Sequence, residues 1–399
     1  MENIKREIYL KKIIPFIGKQ LIKVFTGQRR VGKTYVLRQI RDYIIETNTN
    51  ANIIYIDKEL HEFDKIKNHD NLINYIKKTE QKNYNYLFID EVQEIDEFEK
   101  ALRSFQNQGN FDIYCTGNNA SMLSNEISTL LSGRQIIIRI HSLSYSEFLQ
   151  FHKLKSSKES LLKYLTYGGL PYLINLPNEA NIIADYLKNI YATILFRDIV
   201  ARNNIRDVKF LENLVKFLAD NTGSLFSAKN ISDYLKSQQI KKSVPLITNY
   251  LNFLEDAFFL NIVNRYDIKG KKIFEIGKKI YFEDLGIRNA LIGFLPKDIY
   301  KNIENAVLNH LLICGYEVYV GKNKQKEIDF IAIKNNEKKY IQVTYMLNDQ
   351  NTIKREYGNL LEINDNYPKY VISFDPFETP NTYKGIKHYI LENFLLKFK

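Results

Sequence analysis

The sequence predicts an α/β fold of three layers, in which helices cover both faces of a parallel sheet. The first observation behind this prediction is a glycine-rich loop at 27–34, which joins a short apolar strand at 21–25 to a helical stretch at 35–45. The second is the apolar run Tyr86-Leu87-Phe88-Ile89, which lacks polar alternation and is typical of a strand buried on both faces.

Strand and helix candidates alternate around these two features. Residues 1–20 are predicted as a helical lead-in, and residues 92–108 as a helix. Further strands are predicted at 52–57, 111–116 and 135–140. Strands alternating with helices after a glycine-rich loop indicate a doubly wound sheet.

The loop has the pattern G-x-x-x-x-G-K-T, which binds phosphate in other proteins. Its residues are Gly27, Gln28, Arg29, Arg30, Val31, Gly32, Lys33 and Thr34. A helix that starts here presents backbone N–H groups and its dipole to an anion. We expect Lys33 to reach the β- and γ-phosphates of ATP and the Thr34 hydroxyl to hold Mg²⁺. The two arginines occupy variable positions, and we expect them to be solvated or packed. A chance glycine loop before a helix is the alternative.

Two carboxylates, Asp90 and Glu91, follow the apolar run. Ligands bind at the carboxyl ends of the strands in open α/β sheets. We therefore expect Asp90 to position Mg²⁺ and Glu91 to polarise the water that attacks the γ-phosphate. An ordinary acidic junction between strand and loop is the alternative.

Polar residues after the next two strand candidates complete the predicted site. Asn118 or Asn119 is expected to hold the attacking water, although asparagines also favour turns. Arg134 is a candidate to stabilise phosphate charge in its own subunit or in a neighbouring one. The second case would imply a homo-oligomer, and a surface arginine is equally compatible with the sequence.

Length and composition limit the function classes. A chain of 399 residues suggests two or three domains. The formal net charge of +11 and the pI of about 9.2 suit a polyanionic partner such as double-stranded DNA, although lysine-rich composition alone gives the same charge. The two cysteines predict no disulfide framework or metal site. The charged start and the lack of a long apolar run predict a cytoplasmic protein without a membrane span.

With these motifs the chain resembles the AAA-type ATPases, and more closely a prokaryotic family in which such a core is fused to a C-terminal domain of uncharacterised function. The residues that carry the resemblance are GQRRVGKT, LFIDEVQ, CTGNNASMLS, LLSGR, LSYSEFL and the stretch Tyr167-Gly168-Gly169-Leu170-Pro171. Family members usually have Gly-Ser before the sensor asparagine, where this chain has Gly117-Asn118. The resemblance therefore implies that Asn119 is the sensor.

The glycine-proline stretch is similar to a motif in the lids of related signalling ATPases, where the proline packs against adenine. The resemblance implies this role for Pro171. Two glycines followed by a proline also end helices in ordinary turns, which is the alternative.

Residues 206–283 are predicted to form a winged helix, because three helix candidates are followed by two strands. In DNA-binding versions of this module, one helix enters the major groove. The residues that could contact DNA are Thr248, Asn249, Asn252, Lys241, Lys242, Lys269, Lys271 and Lys272. Such a module can also act as a packing element or a nucleotide-responsive lid.

The order helix, strand, strand, strand after residue 300 resembles the restriction-endonuclease-like fold. The positions that match its metal site are Glu304, Asp329 and Gln342. Thr344 stands where this fold carries a lysine, and a hydroxyl supplies no cation to activate water. We therefore expect a degenerate nuclease module that binds DNA or a protein partner, with an incidental acidic α/β domain as the alternative.

The predicted organisation is an ATPase core at 1–152, a helical lid at 153–205, the winged helix at 206–283 and the nuclease-like domain at 284–399. The predicted function is Mg²⁺-dependent binding and hydrolysis of ATP, which drives or switches a DNA-associated activity. Two alternatives remain open. One is a nucleotide-dependent switch whose output is protein binding, and the other is an ATP-gated nuclease.

Overall fold

A computed structural model of the protein describes residues 4–120, 133–270, 272–294, 298–347, 350–374 and 382–399. The chain divides into two compact units. Unit 1 contains Met1–His141 together with Asp256–Phe258, and unit 2 contains Ser142–Glu255 together with Phe259–Lys399. No helix of the described residues is both long and apolar enough to cross a membrane.

Unit 1 contains a parallel sheet whose five described strands have the order β2-β3-β4-β1-β5. The strands are β1 (Ile22–Thr26), β2 (Asn52–Asp57), β3 (Asn85–Asp90), β4 (Phe111–Gly117) and β5 (Gln135–Arg139). Every residue of β1, β3 and β4 is buried, as expected for strands covered on both faces. The predicted parallel α/β class is therefore confirmed for this unit.

The described α-helices of unit 1 are α1 (Glu7–Ile13), α2 (Lys33–Thr47), α3 (His69–Thr79) and α4 (Phe98–Gln108). The continuous helix predicted at 92–108 is wrong. A 3₁₀ turn spans Val92–Glu94, and α4 begins only at Phe98. The helix cannot extend further back because Glu97 has a left-handed backbone with a φ of 54°.

The described helices of unit 2 lie before, between and after its strands. These are α5 (Tyr145–Phe151), α6 (Lys158–Tyr167), α7 (Ala180–Thr193), a π-helix (Ile194–Ala201), α8 (Val208–Asp220), α9 (Ala228–Ser237), α10 (Val244–Asp256), α11 (Leu285–Ile292), α12 (Ile299–Ile313), α13 (Gln350–Leu361) and α14 (Leu391–Lys397). The side chains of Asp207 and Ser227 cap α8 and α9 by accepting backbone N–H groups of the first turn.

A mixed sheet of nine described strands organises unit 2, in the order β13-β14-β12-β11-β10-β9-β7-β8-β6. The strands are β6 (Leu225–Phe226), β7 (Leu260–Asp267), β8 (Lys272–Phe282), β9 (Glu317–Asn323), β10 (Lys326–Lys334), β11 (Glu337–Thr344), β12 (Lys369–Ser373), β13 (Thr382–Tyr383) and β14 (Ile386–Ile390). Because β7 pairs with β9 in parallel, strands from both sides of residue 284 share this sheet.

Candidate functional site

The loop between β1 and α2 has a backbone that requires glycine. A Cβ atom added to Gly27 would lie 2.2 Å from the Ile140 carbonyl oxygen, so no larger residue fits there. Gly32 and Arg30 have left-handed φ angles of 97° and 70°. No side chain caps the N-terminus of α2. The backbone N–H groups of its first turn therefore face the loop, where an anion can accept them.

Lys33 lies folded over this loop. Its ammonium donates hydrogen bonds to the carbonyl oxygens of Gly27 at 3.1 Å and Gln28 at 3.0 Å. The Gln28 side chain is buried, yet both of its polar atoms lack a hydrogen-bond partner among the described residues. Buried polar groups are almost always paired. A glycine cradle, a buried cation and an unpartnered amide together fit a bound phosphate group.

Asp90 ends β3 with its carboxylate 1% exposed. The Thr116 hydroxyl donates to it, and the backbone N–H of Glu91 donates to the same hydroxyl at 2.8 Å. Burial raises the pKa of Asp90 to about 6, although hydrogen bonds from the Thr116 and Thr34 hydroxyls oppose the shift. The structure therefore brings Thr34 and Asp90 together. A buried carboxylate beside a hydroxyl offers the oxygen ligands that Mg²⁺ prefers.

Glu91 is buried and has a left-handed φ of 56°, which is unusual for a residue other than glycine. Its carboxylate accepts a hydrogen bond from the Gln93 side chain. The turn takes Glu91 out of the strand immediately after Asp90. Two adjacent carboxylates thereby have separate surroundings, and they can have separate roles.

Asn118 and Asn119 are both buried and follow β4 directly. Gly117 is paired with Thr26, the last residue before the loop. The structure therefore places both asparagines at the carboxyl ends of the strands, on the same side of the sheet as the loop. Residues 121–132, which include part of the LLSGR motif, lie outside the described residues.

The sequence analysis did not identify Asp57, which also lies at the carboxyl ends of the strands. Asp57 ends β2 and is paired with Asp90 in the parallel register. It is buried, and its carboxylate lies 3.4 Å from the Arg38 guanidinium. The available signal was the acidic residue at the end of a second strand, but its position beside Asp90 follows only from the strand order.

Arg134 lies at the opposite end of the sheet. Its carbonyl accepts the Ile22 N–H at the start of β1, and its guanidinium donates to Asn107 at 2.9 Å. The structure does not bring Arg134 to the loop of its own chain, and a role in a neighbouring subunit stays a prediction. Arg29 is buried, with its guanidinium 3.7 Å from Glu59, whereas Arg30 is exposed.

Pro171 begins a 3₁₀ helix in unit 2. Before it, the Gly169 N–H donates to Asp284 at 2.9 Å, and the Gly169 carbonyl accepts the Leu143 N–H at 2.7 Å. Cβ atoms on Gly168 and Gly169 would lie 2.4 and 2.5 Å from neighbouring oxygens. The glycine pair thus serves close packing within unit 2, and contact between Pro171 and adenine stays a prediction.

An acid cluster in unit 2 contains two of the three residues predicted for a second metal site. Glu304 on α12 and Asp329 on β10 both contact the ammonium of Lys279, at 2.8 and 3.7 Å. Glu327 contacts the same ammonium at 2.8 Å. Sequence reasoning missed Lys279 and Glu327. Gln342 is buried on the adjacent strand β11, and its side-chain oxygen lacks a partner among the described residues.

Lys279 and the acids around it change one another's pKa values. Burial lowers the pKa of Lys279, but the three carboxylates outweigh burial and raise it above its ordinary value. Burial and the Glu304 carboxylate raise the pKa of Asp329 to about 8, although Lys279 opposes the shift. Within the described parts of both units, no group of three or more His, Cys, Asp or Glu side chains is arranged to bind a metal ion.

Comparisons with known proteins place the chain in a family. A family model described as an AAA domain matches residues 19–149, and a model described as a domain of unknown function, DUF8612, matches residues 158–298. An uncharacterized protein of Haemophilus influenzae is 36% identical over 382 residues, which is 94% of each chain. The chain belongs to the same family as that protein. An uncharacterized protein of Methanocaldococcus jannaschii is 34% identical over 364 residues, covering 87% of this chain and 79% of the relative.

These findings support the predicted AAA-type P-loop core followed by a domain of unknown function. Solved structures with a lower similarity to this AAA-domain protein include Aeropyrum pernix ORC1 in complex with DNA. Its TM-score is 0.32 at 10% identity, over 72% of this chain and 91% of that one. AMPPCP-bound DnaA from Aquifex aeolicus has a TM-score of 0.28 at 16% identity, over 50% and 70%. Structural similarity at this level gives no information about function.

Proposed function

We propose that the protein binds ATP together with Mg²⁺ and hydrolyses it, and that this cycle drives or switches a DNA-associated activity. The observation that carries the proposal is the grouping of the glycine loop, Asp90, Glu91 and the asparagine pair at the carboxyl ends of the strands in unit 1. Two features of this site stand out: the buried Gln28 amide lacks a hydrogen-bond partner among the described residues, and the Asp90 carboxyl has a raised pKa. An unpaired buried amide and a buried carboxylate are both energetically costly, and bound phosphate and metal would offset that cost.

Each residue has a separate chemical task in this proposal. Lys33 would exchange its two carbonyl contacts for phosphate oxygens and would neutralise their charge. Thr34 and Asp90 would hold Mg²⁺, which when bound neutralises the charge that develops on the phosphates. Glu91 would take a proton from the attacking water. Asn119 or Asn118 would orient that water through its amide.

The DNA-associated part of the proposal is supported by unit 2 and by the net charge of +11. The order α8, β6, α9, α10, β7, β8, with β6 paired to β8, is compatible with a winged helix. Thr248, Asn249 and Asn252 are exposed on α10. Of the predicted phosphate-contacting lysines, Lys241 and Lys269 are also exposed.

One of the predicted contacts needs revision, and two others are not tested by the structure. Lys242 forms an ion pair with Asp207, so it is a weaker candidate for a phosphate contact. Lys271 lies outside the described residues, and the Lys272 side chain is likewise not described. The DNA-binding proposal therefore depends on α10 and the two exposed lysines.

The C-terminal part of unit 2 supports a restriction-endonuclease-like frame. Its order is α12, β9, β10, β11, α13, β12, and Asp329 accepts the Val343 N–H at 2.8 Å. The Thr344 hydroxyl, at the position of the missing lysine, donates to the Met346 carbonyl at 3.2 Å. We propose that this module binds DNA or a protein partner without cleaving DNA. Metal-dependent nicking that Asp329→Ala abolishes would instead support the ATP-gated nuclease.

Nucleotide binding and turnover by the full chain test the main proposal. We expect the wild type to bind a fluorescent ATP analogue and to hydrolyse ATP, and we expect Lys33→Ala to lose both. Lys11→Ala is the matched control, because that side chain is 77% exposed on α1. Wild-type protein that binds no nucleotide would overturn the proposal.

Double-stranded DNA then separates the two outputs. A DNA-associated ATPase should turn over ATP faster with DNA, and this stimulation should weaken steeply as salt rises. Turnover that is sensitive to Lys33→Ala but indifferent to DNA at low salt would favour the switch whose output is protein binding.

A further inference from the structure

A buried lysine lies at the centre of the acid cluster in unit 2. The Lys279 side chain on β8 is only 4% exposed. Its ammonium lies 2.8 Å from Glu304, 2.8 Å from Glu327 and 3.7 Å from Asp329. These acids come from α12 and β10, so one cation joins three elements. Buried charges are normally paired, and this ammonium has three acidic partners.

The cluster is built around the Lys279 ammonium. The Tyr281 hydroxyl donates to the Glu304 oxygen that also contacts Lys279, at 2.6 Å. The Val343 N–H donates to the second oxygen of Asp329 at 2.8 Å, which leaves the first to face Lys279. A Cβ atom on Gly223 would lie 3.2 Å from the other oxygen of Glu304, so that side is closed by packing.

Three carboxyl groups surround the single ammonium. Beside them, the buried side chain of Gln342 is 8% exposed and has an oxygen without a partner among the described residues. Gln342 directly precedes Val343, whose N–H binds Asp329. Carboxylate and amide oxygens are the ligands that Mg²⁺ and Mn²⁺ prefer. The cluster therefore has the chemistry of a divalent-cation site whose position is taken by an ammonium.

We propose that Lys279 is an internal substitute for a divalent cation, so that the native cluster is closed to metal and loss of the lysine opens a Mg²⁺ or Mn²⁺ site. Glu304, Glu327 and Asp329 would hold the metal, with the oxygen of Gln342 available to it. The ammonium engages all three carboxyl groups, and this would account for the lack of DNA cleavage that we propose for this module.

Mn²⁺ binding to the nucleotide-free full chain tests this inference. We expect no Mn²⁺ binding to the cluster in the wild type, measured by electron paramagnetic resonance. Lys279→Ala and Lys279→Ser should each gain one bound Mn²⁺, and adding Asp329→Asn should remove it. Lys278→Ala is the matched control, because strand alternation directs that neighbour to the opposite face of β8. This control should behave like the wild type.

Thermal unfolding gives a second measurement. Without metal, Lys279→Ala should melt below the wild type, because three carboxylates lose their cation. Mn²⁺ should raise the melting temperature of this variant by several degrees and leave that of the wild type unchanged. If neither Lys279 variant folds alone, Mn²⁺ added during refolding should recover folded protein.

Three results would overturn the inference. The first is a wild-type chain that binds Mn²⁺ in a manner lost in Asp329→Asn. The second is a pair of folded Lys279 variants that gain no Mn²⁺. The third is a pair of unfolded variants that Mn²⁺ does not recover. ATP turnover has no part in these outcomes, so they are independent of the proposed function.

Discussion

Replacing Asp90 by asparagine should make the nucleotide-free protein more stable while it weakens the binding of Mg²⁺-ATP. Asp90 is 1% exposed, and burial raises the pKa of its carboxyl from the ordinary 3.8 to about 6. At neutral pH the folded chain therefore holds a carboxylate that would prefer to be protonated. Asparagine keeps the shape and can still accept the Thr116 hydroxyl, but it carries no charge.

The size and the pH dependence of this effect follow from the pKa shift. A rise of roughly two pKa units corresponds to about 3 kcal/mol, which is the upper bound of the stabilisation at neutral pH. The folded wild type keeps a proton that the unfolded chain releases between pH 3.8 and about 6, so its stability falls as the pH rises through that window. Asp90→Asn lacks this dependence. The two proteins should therefore be equally stable near about pH 4 and differ most above about pH 6.

Urea unfolding at several pH values measures the difference, and amide hydrogen exchange in β3 localises it to unit 1. Asp185→Asn is the matched control, because that carboxylate is exposed on α7 and its removal should leave stability unchanged. Mg²⁺-ATP should raise the melting temperature of the wild type more than that of Asp90→Asn. Equal stability of the two proteins at neutral pH, or a gain that persists undiminished near about pH 4, would refute the reasoning.

Three further predictions concern unit 1. Gly27→Ala should weaken ATP binding in a fluorescent-nucleotide titration, because its Cβ would meet a carbonyl oxygen at 2.2 Å. Gly358→Ala is the control and should bind normally, because its Cβ would meet no atom within 4 Å. Asp112→Ala should lower the free energy of unfolding by about 3–5 kcal/mol, since the fully buried Lys23 ammonium loses its carboxylate and keeps only the Lys19 carbonyl, and a loss below about 1 kcal/mol would contradict this. Arg134→Ala should leave ATP binding unchanged, and turnover that falls only where the wild type self-associates would support a role between subunits.

Most of the residues at the carboxyl ends of the strands in unit 1 could be predicted from the sequence. Four apolar residues that end in Asp90 and Glu91 define a buried strand and its functional end together. The glycine pattern likewise defines the start of α2. Asp57 was not recognised, because its place beside Asp90 depends on the pairing of β2 with β3. The sequence makes Arg134 a candidate for a phosphate contact in its own or a neighbouring subunit, and its carbonyl accepts the N–H of the first residue of β1, away from the loop of its own chain.

The acid cluster could be predicted only in part from the sequence. Glu304 and Asp329 were identified from the order of elements, but the cation they share was not. Lys279 lies on a strand that was assigned to a different predicted domain, and its partners are distant along the chain. Only the sheet that joins β7 and β8 to β9 and β10 brings these residues together.

ATP turnover by Glu91→Gln, measured together with ATP binding, tests the central claim most directly. The substitution keeps the size of the side chain and removes the carboxylate that would accept the proton of water. The account predicts wild-type ATP binding and turnover reduced by about 10²–10⁴, while the exposed control Glu46→Gln on α2 keeps full turnover. Glu91→Gln protein that hydrolyses ATP as fast as the wild type would contradict the account.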